Sequence, residues 1–142
     1  MQINIFYRKE IPKYYRKTSA YKKIVFNALG KAAKYNGEVN IIFVGPKEIH
    51  KINKQYLGHN FITDVISFGY PFDKKTGGPF GDIFVCVEQA KKQAKLLAHS
   101  ALFETAVLAA HGTLHLIGYD DNTPQLRSKM NNKAEKIVKE IL

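Results

Sequence analysis

Tryptophan is absent from this chain of 142 residues, and cysteine occurs once, as Cys86. A lone thiol excludes an intramolecular disulfide and any zinc site built on a CxxC pair. Inside the apolar run IFVCV it reads as a small buried side chain. No apolar stretch approaches the roughly 20 residues of a membrane span, and the opening MQINIFYRKE lacks a signal-peptide core. The expectation is a cytoplasmic protein that makes no membrane contact. Repeats, low-complexity tracts and linkers are missing too, so residues 1–142 are expected to form a single domain with a real hydrophobic core. Acidic residues are scarce: 12 Asp and Glu stand against 22 Lys and Arg, a net charge of +10 with a pI near 9.6.

An excess of that size on one small domain favours polyanionic partners, nucleic acid ahead of an anionic membrane. Adaptation to heat is the competing explanation for abundant lysine, but it raises Glu alongside Lys to build ion-pair networks. Here the acids do not keep pace. Nucleic acid is therefore the partner class that composition favours.

The pattern along the chain predicts four strands mixed with helices. Ile3 to Tyr7 alternates as a first strand. A helix is expected from Ser19, with Tyr21, Val25, Ala28, Ala32 and Tyr35 as its apolar stripe and Gly37 ending it. Val39 to Val44 is a second strand. Pro46 opens a helix whose buried face is Ile49, Ile52 and Tyr56. Val65 to Phe68 and Gly81 to Val87 are strands three and four, separated by a turn-rich insertion from Pro71 to Pro79. Glu88 to Leu97 is helical, and Ser100 caps a further helix with Phe103, Ala106, Ala110, Leu114 and Ile117 inward. A last helix begins at Thr123-Pro124, with Leu126, Met130, Ala134, Ile137 and Ile141 on one side. Strands and helices that do not alternate strictly point to an α+β fold with helices packed on a small mixed four-stranded sheet, or to a mixed sheet with helices against one face.

The stretch HGTLHLIGYDD, His111 to Asp121, carries the chemistry. On a helix, residues four apart share a face, so His111 and His115 stack one turn apart. Gly118 follows where the backbone needs a left-handed residue to turn back, and Asp121 then arrives beside the imidazoles. The pattern His-x3-His-x2-Gly-x2-Asp supplies three ligands and leaves a fourth position for water, the stoichiometry of catalytic zinc. The carboxylate in the set makes other divalent ions admissible. The spacing is that of a metallopeptidase signature, yet position 112 is Gly where a peptidase carries its general-base Glu. Ordinary packing of two histidines on a half-buried helix is the plain alternative. Candidate helpers are Asp64, which also suits a turn or cap, and Ser67, whose hydroxyl also suits a bond to backbone. Glu104 lies about two turns before His111, too far for ligation, and fits a supporting role. Asp82 suits either a strand-end turn or an orienting partner of a ligand imidazole. Among the remaining histidines, His59 stands out because its loop precedes TDVISF.

These residues resemble the YbeY family of bacterial metal-dependent endoribonucleases. The resemblance rests on Asn53 and Tyr56, on TDVISF from Thr63 to Phe68, and on GDI from Gly81 to Ile83. It rests above all on HGTLHLIGYDD, with Met130 and Glu135 in the last helix. It implies a zincin-like fold with the metal helix beside the sheet edge, and zinc held by His111, His115 and Asp121. It also implies single-strand-specific cleavage in 3′-end maturation of small-subunit (16S) ribosomal RNA and in ribosome quality control. The ribosome or its small subunit is then a partner. The family pattern has a third His where this chain has Asp121, and Arg where it has Leu57. Lys51 and Lys54 are the neighbours placed to handle phosphate instead. Two other classes of function stay open: a metallohydrolase of another substrate, peptidase-like included, and a non-catalytic ribosome-assembly factor braced by its metal.

Overall fold

A computed structural model describes residues 1–69, 77 and 80–142. The expected insertion from Pro71 to Pro79 lies outside the described residues except for Gly77. Strands β1 (Gln2–Tyr7), β2 (Glu38–Val44), β3 (Val65–Gly69) and β4 (Phe80–Cys86) form one sheet in the order β1-β2-β4-β3. The β1, β2 and β4 strands run parallel, and β3 pairs antiparallel with β4 at the edge. Among the described residues, five α-helices accompany them: α1 (Thr18–Leu29), α2 (Pro46–Leu57), α3 (Val87–Leu97), α4 (Ala101–Leu116) and α5 (Pro124–Ile141). The α+β architecture with a mixed four-stranded sheet is therefore as the sequence pattern indicates.

Helices cover both faces of the sheet, which rules out the alternative of packing against one. Successive strand residues point to opposite sides. Val39, Ile41 and Phe43 of β2 join a core shared with α1, α4 and α5, whereas Ile42 and Val44 pack with Ile49 and Ile52 of α2. Buried β2, apolar on both faces, is what a strand sandwiched between helices requires. Helix α4 is enclosed on nearly all sides, buried from Glu104 to Ala110 and again from Gly112 to Leu114. A helix apolar all round belongs inside. Ser100 caps it as the sequence suggests, its hydroxyl accepting from the amide of Phe103 at 3.0 Å.

Two helices differ from the periodic reading. The first stops at Leu29 because Gly30 takes φ of +56°, and a short 3-10 turn from Gly30 to Lys34 follows. The turn shifts phase, so that Ala33 is buried in place of Ala32. In α2 the surprise is polar. Tyr56 is 64% exposed, and Asn53 is buried at 1%. The Asn53 side-chain amide donates to the carbonyl of Phe61 at 2.9 Å, and the Asn53 backbone carbonyl accepts from the amides of Gly58 and His59. A buried amide survives only with partners, and here they fasten the following loop. Replacing Asn53 with Ala leaves the Phe61 carbonyl short of its donor, at a cost of about 1–2 kcal/mol. Thermal unfolding checks this: the midpoint falls by a few degrees.

Candidate metal centre

Helix α4 runs past edge strand β3 so closely that only glycine fits at position 112. A Cβ there would stand 2.5 Å from Cγ2 of Ile83, 3.0 Å from Oγ of Ser67 and 3.2 Å from Cγ2 of Val65. The absence of side chain brings the helix backbone against the strand, and the Ser67 hydroxyl donates to the Gly112 carbonyl at 2.9 Å. That bond pins the turn carrying His111. A Glu at position 112, as a peptidase uses, has no room.

At its C-terminus α4 closes in a two-bond glycine cap. Gly118, at φ of +102°, donates its amide to the carbonyl of His115, and Tyr119 donates to Leu114, both at 3.0 Å. This satisfies carbonyls the helix end would leave open and reverses the chain. Tyr119 turns its own carbonyl to within 3.2 Å of Nδ1 of His115. A backbone acceptor at Nδ1 fixes the proton there and leaves Nε2 with its lone pair outward. Asp120 accepts from the amide of Asn122 at 2.9 Å, and Arg127 donates to the carbonyl of Asp121 at 3.2 Å. With Thr123 capping α5 through the Leu126 amide, the segment holding Asp121 is fixed at both sides.

The outcome is a small triangle of donor atoms. Nε2 of His111 and Nε2 of His115 are 3.2 Å apart, and Oδ2 of Asp121 lies 3.3 Å from the second and 3.8 Å from the first. Among the described residues this is the one group of three metal-capable side chains, and all three are half-buried. A tetrahedral ion with ligands at about 2.0–2.1 Å sets them about 3.3–3.4 Å apart, so the donor set fits one such ion. Burial, then the neighbouring His115, lowers the pKa of His111 against the opposing pull of Asp64, Asp121 and a hydrogen bond with Asn131. A lowered value keeps the ring neutral near pH 7, the form that binds metal.

The other expected residues divide. Asp64 precedes β3 with its charge felt at His111. Its Oδ1 accepts from the Val65 amide at 2.8 Å and its Oδ2 from Gln93 at 3.3 Å. Ser67 meets the metal helix through backbone, as described. Asp82 sits on β4 and accepts from Asn40 at 2.9 Å, within a ladder of polar side chains across the strands. Lys51 and Lys54 are exposed on α2, across the sheet from α4, and are not brought to the triangle. The sequence reading missed Asn131 beside His111 and the carbonyl of Tyr119. The first is one of several polar residues on α5, and a backbone group leaves no mark in a sequence.

Glu104 is buried, and its Oε2 has no hydrogen-bond partner among the described residues. Burial raises its carboxyl pKa above 4.5; His99 opposes the rise, while Asp64 and Glu135 add to it. A raised folded-state value means the folded protein binds the proton more tightly. Stability is thus greatest below the unfolded pKa and falls as pH rises through the folded one. Glu104→Gln is expected to raise the unfolding midpoint at pH 7–8 by about 1 kcal/mol equivalent. The gain vanishes below about pH 4.5, which melting curves across that range check.

Residues 5–142 match the family described as Endoribonuclease YbeY. An Endoribonuclease YbeY of Elusimicrobium minutum is 52% identical over 99% of this chain and 100% of its own. That of Phytoplasma australiense is 36% identical over 88% of each chain, and that of Acholeplasma laidlawii 34% over 97% and 95%. The solution structure of TM1509 from Thermotoga maritima superposes with a TM-score of 0.66 at 26% identity, over 99% of this chain and 89% of that one. The chain belongs to the Endoribonuclease YbeY family.

Proposed function

We propose that this protein is a metal-dependent endoribonuclease that cuts single-stranded RNA, with one zinc ion held by His111, His115 and Asp121. The observation that carries the reading is the triangle of donor atoms, 3.2, 3.3 and 3.8 Å on its sides, with all three side chains partly exposed. The relatives' name, endoribonuclease, supports the substrate class. A bound ion supplies a bound water of lowered pKa or a Lewis acid for a phosphoryl oxygen. The chain's own residues prepare that chemistry. Tyr119 and Asn131 orient the two imidazoles, burial keeps His111 neutral, and the glycine cap returns Asp121 to the helix. Ser67 clamps the ligand helix to the sheet edge. Asp64, next to the site, is the charged group available to hold a proton or a ligand ring in place.

The placement of the ligand helix beside an edge strand supports a zincin-like arrangement, and the chain is read as one domain over 1–142. We assign small-subunit ribosomal RNA as the substrate, its 3′-end maturation as the step, the ribosome or its small subunit as partner and the cytoplasm as the location. The excess of 10 positive charges supports a polyanionic partner. Among the described residues no helix is long and apolar enough to cross a membrane. The lack of space for a base at position 112 argues against a peptidase.

Chelation tests the reading. Cleavage of single-stranded RNA is lost on treatment with a chelator and returns on adding zinc, with the fold retained throughout. Unfolding on chelation, with no cleavage in either state, would support the metal-braced assembly factor instead.

A further inference from the structure

The loop between α2 and β3 combines a fastened backbone with side chains left outside. Asn53 holds it at Gly58, His59 and Phe61, as described, and His50 Nε2 meets Oδ1 of Asn60 at 2.8 Å. Yet Leu57, His59, Phe61 and Ile62 are all exposed, Phe61 at 55%. The rings of His59 and Phe61 lie nearly parallel, 11° apart with centroids at 5.3 Å. Ordered backbone beneath an exposed pair of parallel rings contributes little to the core. It presents a stacked pair of rings whose ordering cost is already met before anything binds.

Position gives the surface its occupant. Phe61 is three residues before Asp64, at most about 11 Å along an extended chain, and Asp64 is close enough for its charge to act on His111. The loop therefore joins the end of α2 to edge strand β3, whose Val65 lies against Gly112 of the metal helix. Exposed aromatic rings on the segment that leads to a phosphate-cutting site suit a single strand of nucleic acid. An unpaired base offers a π face to the rings, which a sequence-independent grip on a single strand requires. The positive balance of the whole chain favours that polyanion over an acidic or apolar protein surface.

We propose that His59 and Phe61 form a base-stacking platform that seats an unpaired base of the RNA beside the cleavage site. The inference rests on the nuclease reading and adds how the strand is gripped. It also gives a physical basis for single-strand selectivity, since a base paired in a duplex has no face to offer the rings.

Cleavage kinetics on a single-stranded RNA oligonucleotide test it, using Phe61→Ala, Phe61→Trp and, as a distant exposed aromatic on α1, Phe26→Ala. The platform predicts that Phe61→Ala raises KM on the order of 10-fold, the loss of one stacked base, with little change in kcat. Phe61→Trp keeps the parent KM. Because the chain has no other tryptophan, its fluorescence reports the site directly, quenched by the oligonucleotide and not by an abasic strand of equal length. Phe26→Ala leaves KM in place. Normal cleavage with an unmoved KM in Phe61→Ala, or equal quenching by the abasic strand, overturns the platform alone and leaves the patch to a protein partner. A parent protein that neither binds nor cuts the oligonucleotide overturns the nuclease reading, and the platform with it.

Discussion

Replacing His115 with Ala removes bound metal and lowers RNA cleavage by more than about 100-fold, beyond the 10–100-fold expected for losing a partner that merely supports a ligand. The size follows from the double task of this ring. Its Nε2 stands 3.2 and 3.3 Å from the other two donor atoms, and its Nδ1 faces the carbonyl of Tyr119, so both nitrogens serve the site. Deleting it leaves two ligands, one of them a half-exposed carboxylate, which do not retain a divalent ion against water. The fold is expected to persist, because His115 is only partly buried and the glycine cap closes through backbone groups that alanine keeps. Without metal, variant and parent should melt within about 1 kcal/mol of each other. Added zinc should raise the parent's midpoint by ligand linkage and leave the variant unmoved. Cleavage assays with thermal melts, each with and without zinc, check both parts.

The second large effect is structural. Gly112→Ala is expected to destabilise the domain by about 1–3 kcal/mol, the cost of forcing extra volume into a packed interior. A Cβ at this position meets Ile83, Ser67 and Val65 from three directions. None of the three is the end of a long flexible chain: two are β-branched groups on strands, and the third hydroxyl is held by the Gly112 carbonyl. Relief requires α4 to lift from β3, which stretches the Ser67 bond and shifts His111. Alanine favours helix over glycine by about 1 kcal/mol, so a net loss of stability would show that close approach outweighs propensity here. The unfolding midpoint should fall by several degrees, and zinc affinity should weaken with it. An unchanged or higher midpoint would contradict the close approach of helix and sheet at Gly112.

The part of the molecule that sequence exposes is the part built from local rules. The Ser100 cap, the imidazoles one turn apart, and the glycine that reverses the chain at position 118 are each set by neighbours a few residues away. They are as the pattern implies. What escaped depends on distant partners. Tyr56 matches the apolar period of α2, but a buried Asn53 makes sense only once the Phe61 carbonyl, eight residues on, is known to need a donor. The helix expected to reach Gly37 stops at Gly30 since the periodic stripe continues across a residue that the backbone uses to turn. Lys51 and Lys54 are near TDVISF in sequence and yet on the far face of the sheet from α4, because α2 packs against Ile42 and Val44. Register and layer decide such placements, and neither is written in a single segment.

Metal content of the purified chain, measured by mass spectrometry after dialysis against zinc, bears most directly on the account. One equivalent per chain is predicted for the parent, and a small fraction of that for Asp121→Asn, whose side-chain amide replaces the anionic donor. A parent that holds no ion, or an Asp121→Asn protein that holds as much, would contradict it.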